Sequence, residues 1–394
     1  MTKQELLTLS RSLSALGVFS GLLEKPLFCH FLAMTDATDA SEAARAAGRF
    51  VHEIYEAGGT LADAVRRAAF EDENPYVRMR AGKGTCDSTI ERAVKCELSL
   101  LSRFASLTPA DVQTLLGAEV PYVAPFGART VMLADEYEAR MQDIGKHGYG
   151  VFASNAMFRL SDDAEIEPVA SADTVTLDQF IGYENERTQV LENTKAFLAG
   201  RPAANVLLYG DAGTGKSSTV KAITNALFED GLRLIEIRKD QLSRLPFVMG
   251  KIRQNPLHFI IFIDDLSFNK SDDSFSMLKA ALEGSASAKA ENAVIYATSN
   301  RRHIVRESFG DRDGGDVHRN DTMQETLSLS ERFGMTVLFA RPNKQLYLTI
   351  VQALARKHHI TEDPEQLAVR AEAFALARGT RSARCAEQFI DSLL

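Results

Sequence analysis

The stretch that decides the fold of this 394-residue chain is Gly210-Asp-Ala-Gly-Thr-Gly-Lys216-Ser217. It follows a short apolar run, Val206–Tyr209, and precedes a helical pattern that extends from Ser217 to Phe228. Glycines let backbone N–H groups curl around a phosphate without Cβ clashes, and a helix start directs its positive end at the same group. The spacing G-x-x-x-x-G-K-[ST] between a strand and a helix therefore predicts a P-loop that binds ATP with Mg²⁺.

Each residue type in this loop has an expected task. Lys216 is predicted to reach the β- and γ-phosphates, and the Ser217 hydroxyl is predicted to ligate Mg²⁺. The cofactors implied are ATP and Mg²⁺. The loop residues expected to line the nucleotide are Gly210, Asp211, Ala212, Gly213, Thr214, Gly215, Lys216, Ser217 and Ser218.

Strand and helix patterns alternate around the loop, which indicates a doubly wound α/β sheet. Apolar strands buried on both faces, each followed by a crossover helix, are typical of a parallel sheet. The predicted strands are 206–209, 232–237, 258–263, 293–297 and 336–339, and the predicted helices between them are 217–228, 241–253 and 274–283.

A pair of carboxylates ends the third predicted strand, Phe259-Ile-Ile-Phe-Ile263-Asp264-Asp265. Carboxylates at the carboxyl edge of a buried parallel strand lie where a phosphate-bound cation would be held. We expect Asp264 to hold Mg²⁺ through water, and Asp265 to orient and deprotonate the attacking water.

Four further segments follow the pattern of one ATPase superfamily. Three of them contain a polar residue at a defined place: Asn300 ends Val294-Ile-Tyr-Ala-Thr-Ser-Asn300, Arg332 lies in Leu329-Ser-Glu-Arg332-Phe-Gly334, and Arg381 lies in Gly379-Thr-Arg381-Ser-Ala-Arg384. The fourth, Leu177-Asp-Gln-Phe-Ile-Gly-Tyr-Glu184, precedes the P-loop. In this order the segments resemble those of AAA+ ATPases, over residues 174–394.

The resemblance implies a strand order of 5-1-4-3-2 and a role for each segment. Asn300 resembles sensor 1, which positions the attacking water. Arg332 resembles the arginine finger that completes a neighbouring subunit's site, although a surface salt bridge is the alternative. Arg381 resembles the sensor 2 arginine of the lid, and Arg384 remains open for the same role. Ile181 and Gly182 are expected to pack against adenine.

One residue departs from the superfamily pattern. Most AAA+ proteins have Glu after the metal-binding Asp, whereas this chain has the shorter Asp265, which puts the strength of catalysis in doubt. The chain resembles one bacterial AAA+ family, catalogued only as a domain of unknown function, in four sequence segments: YGDAGTGKS, FIDDLSF, TSNRRH and LSLSERFG.

Composition and pattern together predict the domain organisation. Residues 1–160 are expected to be a mostly helical domain, and the acidic, proline-containing residues 161–173 a linker. Residues 174–341 should form the nucleotide-binding core, and residues 342–394 a helical lid. The formal net charge of −8 argues against a generally basic nucleic-acid surface. Scattered cysteines and the lack of a long apolar run indicate a cytoplasmic protein without a membrane span.

The expected function is an ATPase that assembles as a homo-oligomeric ring or partial ring and remodels a protein or protein–nucleic-acid complex. One alternative is a nucleotide-gated scaffold that hydrolyses slowly. A second is a helicase-loader-like protein, favoured if the basic cluster Arg301–Arg306 contacts DNA. A small-molecule kinase is disfavoured because sensor and finger elements have no task there. Phe247–Gly250 resembles an unfoldase pore loop, but a buried helix is the simpler interpretation.

Overall fold

The chain forms two compact units, Met1–Ser154 and Asn155–Leu394. The computed structural model describes residues 1–82, 84, 87–169, 174–267, 273–282, 290–300 and 332–394. Each unit has its own apolar core.

The first unit is helical, as the leucine spacing predicts. Polar side chains cap the starts of most helices; Thr2, for example, accepts a hydrogen bond from the backbone of Glu5. Aromatic rings fill the centre, where Phe31 lies 4.7 Å from Phe104 between ring centroids. The helices are α1 (Lys3–Leu13), α2 (Pro26–Asp36), α3 (Ala40–Glu56), α4 (Leu61–Glu71), α5 (Pro75–Ala81), α6 (Ser88–Ala105), α7 (Pro109–Leu116), α8 (Leu133–Gln142) and α9 (Ile144–His147).

The second unit is built on a seven-stranded sheet in the order β2-β1-β4-β5-β6-β3-β7. The strands are β1 (Met157–Leu160), β2 (Ile166–Pro168), β3 (Val206–Gly210), β4 (Leu232–Glu236), β5 (His258–Ile263), β6 (Ala293–Ser299) and β7 (Met335–Phe339). All neighbouring strands are parallel except β1 and β2. Counted from the P-loop strand β3, the last five strands have the order 5-1-4-3-2, which confirms the expectation from the AAA+ resemblance.

The β1–β2 hairpin corrects the linker expected over residues 161–173. β1 pairs in parallel with β4, and Phe158 is fully buried. The acidic residues that suggested a connector are ion-paired instead: Asp162 lies 2.6 Å from Arg238, and Glu165 lies 2.9 Å from Lys251. Both partners come from the β4–β5 connection, so these residues belong to the sheet unit and do not form a free linker.

Helices cover both faces of the sheet and continue after it. The helices are α10 (Glu184–Leu198), α11 (Lys216–Ala226), α12 (Leu245–Ile252), α13 (Asp273–Leu282), α14 (Lys344–Lys357), α15 (Pro364–Ala377) and α16 (Ala383–Asp391). The last three share an apolar core that includes Tyr347, Val351 and Phe389, so a helical lid follows β7. Phe247–Gly250 lies inside α12, with Val248 buried, and is therefore a helix in this structure, as the simpler interpretation predicts.

Within the described parts of the chain, none of the helices has the length and apolar character needed to cross a bilayer.

Candidate nucleotide-binding site

The P-loop leaves the end of β3 through glycines with left-handed backbone. Gly210, Gly213 and Gly215 have φ values of 136°, 74° and 88°, a region that other residues enter only with strain. At Gly210 a Cβ atom would lie 2.0 Å from the carbonyl oxygen of Phe339 on the neighbouring strand β7. Gly215 is the N-cap of α11, so the loop delivers the chain directly to a helix start.

Lys216 is buried at the centre of this loop, with 6 % of its surface exposed. Its ammonium donates to the carbonyl oxygens of Gly210 (2.9 Å) and Asp211 (2.7 Å) and to Oδ1 of Asn300 (3.1 Å). Burial lowers the pKa of Lys216, and the nearby carboxylates of Asp211, Asp264 and Asp265 oppose that shift. All three donors of the ammonium are thus satisfied by neutral oxygens.

The two residues expected to bind the metal lie against each other. Ser217 Oγ donates to Asp264 Oδ1 at 2.6 Å. Ser217 lies in the first turn of α11 and Asp264 follows β5, so the sheet topology brings together positions 47 residues apart. A hydroxyl and a carboxylate are oxygen donors of the kind that Mg²⁺ prefers.

Asp265 is held in an unusual backbone conformation, with φ at 51°. Its Oδ1 accepts a hydrogen bond of 2.7 Å from Nδ2 of Asn300. Asn300 therefore bridges the Lys216 ammonium through one amide atom and the Asp265 carboxylate through the other. The resemblance to sensor 1 predicts this neighbourhood, since β6 lies between β3 and β5.

Thr298 is a residue of this site that the sequence motifs do not single out. Its hydroxyl donates to Oδ1 of Asp264 and accepts the backbone N–H of Asp265 at 2.9 Å. Its carbonyl oxygen accepts the N–H of Leu266 at 2.7 Å. The available signal was its position in the polar trio that ends β6, two residues before Asn300.

The segment before α10 lies between the P-loop and the lid. Ile181 packs against the lid core, and a Cβ atom on Gly182 would lie 2.5 Å from Cδ1 of Leu346 in α14. The N–H of Gly182 is donated to Glu184 at 2.9 Å. Both residues thus lie where core and lid helices meet, and their packing against adenine stays a prediction.

Burial also affects Tyr183, the next residue along this segment. It raises the pKa of Tyr183 to about 12, and the hydroxyl donates to the carbonyl oxygen of Ala340 at 2.6 Å. This bond ties the start of α10 to the chain between β7 and the lid.

The two candidate lid arginines have different surroundings. Arg381 binds Glu372 through two hydrogen bonds of 2.9 and 2.8 Å, both within the lid. A Cβ atom on Gly213 of the P-loop would lie 3.1 Å from Cβ of Arg384. The arginine beside the P-loop is therefore Arg384, whereas the spacing from Gly379 favours Arg381 for the sensor 2 role, which stays a prediction.

Arg332 lies at the other end of the sheet from the P-loop. It precedes β7 by three residues, and Met335 at the start of β7 is level with Val206 at the start of β3. Gly210, at the P-loop end of β3, is level with Phe339. Four residues of strand separate the two ends, or roughly 13 Å. The basic cluster Arg301–Arg306 lies outside the described residues.

The geometry fits a magnesium-bound triphosphate. Lys216 is buried and is hydrogen-bonded to neutral oxygens. Burial disfavours its charged form and so lowers its pKa. A phosphate anion would compensate the ammonium charge better than these oxygens do. Three left-handed glycines present the backbone of the loop, and an oxygen pair for the cation lies at the helix start. These features occur together at the carboxyl edge of the sheet, where ligands bind in open α/β folds.

Comparison with known proteins relates the whole of the second unit to one family. Residues 153–394 match the family described as "Protein of unknown function (DUF815)". Proteasome-activating nucleotidase 2 of Haloferax volcanii is 24 % identical over 220 residues, which cover 51 % of this chain and 50 % of that protein. The chain thus spans about half the length of this curated relative.

Solved structures also match. The Thermotoga maritima RuvB Holliday junction branch migration motor is 14 % identical, with a TM-score of 0.33 over 55 % of this chain and 72 % of that chain. A second RuvB structure from the same organism is 15 % identical, with a TM-score of 0.34 over the same shares.

Proposed function

The chain belongs to the DUF815 family and has the AAA+ fold, and on this basis we propose that it binds Mg-ATP and hydrolyses it to ADP and phosphate. The observation that supports this most strongly is the continuous chain Lys216–Asn300–Asp265 beside the Ser217–Asp264 pair. It gathers a phosphate-binding cation, a carboxylate base and a metal-binding pair at one edge of the sheet.

The role of each side chain follows from its contacts. Lys216 would exchange its carbonyl partners for phosphate oxygens, because a charged acceptor forms the stronger hydrogen bond. Mg²⁺ held near Ser217 and Asp264 would supply positive charge to the phosphate oxygens. Oδ1 of Asp265 is occupied by Asn300, so Oδ2 is the atom that would take the proton from the attacking water. Asn300 would keep that carboxylate at a fixed distance from Lys216.

We further propose that the chain works as a homo-oligomeric ring or partial ring and remodels a protein or protein–nucleic-acid complex. The placement of Arg332 at the sheet end away from its own P-loop supports a role in a neighbouring subunit's site. A second candidate, a scaffold that hydrolyses slowly, is supported by Asp265 and by the helical state of Phe247–Gly250. The measured turnover number separates the two.

The assigned site is tested by Lys216→Ala, with Lys221→Ala as the matched control on the same helix. We expect the first variant to lose high-affinity ATP binding in a calorimetric titration, because it removes the buried phosphate-binding charge and leaves the apolar core untouched. The control should bind ATP like the parent. Unchanged ATP affinity in Lys216→Ala would refute the assignment.

A further inference from the structure

The side chain of Thr298 is 2 % exposed and touches both carboxylate residues of the site. As described above, its hydroxyl hydrogen is directed to Asp264, and its oxygen accepts the N–H of Asp265. A hydroxyl has a single hydrogen, which Thr298 donates to Asp264. Its oxygen lone pair then remains to accept the backbone N–H of Asp265. The two bonds therefore fit one orientation of the hydroxyl.

We propose that Thr298 is a positioning residue that sets the metal-binding carboxylate and the base together through this one hydroxyl. The inference rests on the proposed hydrolysis of Mg-ATP and adds to it a residue that no motif of the chain identifies.

The first part of the argument concerns Asp264. Its Oδ1 accepts hydrogen bonds from Ser217 Oγ, from Thr298 Oγ1 and from the backbone N–H of Asp265. Among the residues that the structure describes, Oδ2 of Asp264 accepts none. The three donors to Oδ1 hold the Asp264 carboxylate in one orientation. Oδ2 is then the oxygen available to a cation or to a cation-bound water. Hydrogen-bonded partners of this kind orient metal ligands and tune their affinity.

The second part concerns Asp265, whose φ of 51° is uncommon for a residue with a side chain. Such backbone is strained and persists only where the surroundings determine it. Thr298 supplies two of those determinants, because its hydroxyl accepts the N–H of Asp265 and its carbonyl accepts the N–H of Leu266. In this conformation the Asp265 carboxylate reaches Asn300.

The test replaces the hydroxyl without changing the shape of the side chain. In Thr298→Val we expect turnover to fall about 10²-fold, because a small displacement of a reacting group such as the Asp265 carboxylate can cost that much in rate. The Mg²⁺ concentration at half-maximal activity should rise at least ~10-fold, as for lost support of a metal ligand. Thr298→Ser keeps the hydroxyl and should restore most of both properties.

A matched control is Thr224→Val in α11, since Thr224 is also fully buried and, among the described residues, its hydroxyl bonds only to the Val220 carbonyl of its own helix. It should lower thermal stability and leave the Mg²⁺ requirement unchanged. A parental Mg²⁺ requirement and turnover in Thr298→Val would overturn the proposal. A Thr298→Ser variant as impaired as Thr298→Val would do the same, because it would assign the effect to the methyl group.

A third measurement separates this proposal from the proposed function. The loss of melting temperature in the double variant Thr298→Val, Asp264→Ala should be smaller than the sum of the two single losses, because each single variant already removes the bond between these two side chains. This coupling needs no nucleotide, so it remains measurable if the parent fails to hydrolyse ATP, a result that would refute the proposed function alone. Strictly additive losses would overturn the role of Thr298.

Discussion

Asp265, the proposed base, shows how far the neighbours of a side chain determine its orientation. A general base must lie within hydrogen-bond reach of its proton and keep a fixed orientation. Here the orientation comes from Asn300 and from a left-handed backbone that β6 supports. The shorter side chain that distinguishes this chain from most AAA+ proteins is thus held by contacts on both its backbone and its carboxylate.

At this scale we expect Asp265→Asn to bind ATP with parental affinity and to lose at least ~10²-fold in turnover, because it keeps the shape and removes the base. Asp230→Asn, an exposed change after α11, is the control. Phosphate release measured at saturating Mg-ATP checks the prediction, and parental turnover in Asp265→Asn would remove Asp265 from the proposed mechanism.

The candidate site residues whose positions could be predicted from sequence are those placed by the local backbone. Lys216 and Ser217 are determined by the loop itself, and Asp264 by the end of a strand. Thr298 and the choice between Arg381 and Arg384 could not be predicted, because they depend on which side chains meet across different elements. Glu372 lies nine residues before Arg381, and no local sequence pattern predicts the ion pair between them.

At the scale of elements, the start of α16 is the part of the lid that reaches the P-loop. Ser382 caps this helix, and a Cβ atom on Gly213 would lie 3.2 Å from its Oγ. Arg384 follows in the first turn. An arginine at this place can bind a phosphate group held by the loop, whereas Arg381 is already ion-paired with Glu372.

We therefore expect Arg384→Ala to weaken ATP binding and turnover by about 10-fold, the size of one charged hydrogen bond. Arg381→Ala should instead lower the melting temperature slightly, with parental nucleotide affinity. Paired titrations and melting curves of the two variants check this. A larger loss of affinity in Arg381→Ala than in Arg384→Ala would contradict it.

Strands and helices could be predicted where their apolar pattern is strong, and the five core strands lie within two residues of the expected bounds. The β1–β2 hairpin could not be predicted because β1 has only four residues and β2 only three. Their stability comes from the pairing of β1 with β4 and from the burial of residues such as Phe158, which are contacts between distant parts of the chain.

At the scale of the whole molecule, the parallel register of β3 and β7 determines which site Arg332 can serve. With the P-loop beyond Gly210 and Arg332 before Met335, the side chain would have to span the sheet to reach its own nucleotide. A catalytic role for Arg332 therefore requires a second copy of the chain.

The expected outcome is that activity per subunit rises with protein concentration and that Arg332→Ala lowers turnover ~10³-fold or more, as for other arginines supplied in trans. Mixing Arg332→Ala with Asp265→Asn should restore some turnover, since a mixed interface can combine an intact arginine with an intact base. Activity across a dilution series, with mass measured at each point, checks this. Constant activity per subunit down to the monomer would contradict it.

The hairpin at the opposite border of the sheet has a consequence for aggregation. β4 is the outermost of the five core strands, and four of its five residues are buried. A chain shortened to begin at residue 174 would lack β1 and β2 and expose the unpaired N–H and C=O groups of β4 beside an apolar surface, which invites strands of other molecules to add. A chain that begins at Asn155 keeps the short, proline-ended β2 as the border. Light scattering should find large aggregates with the first and not with the second.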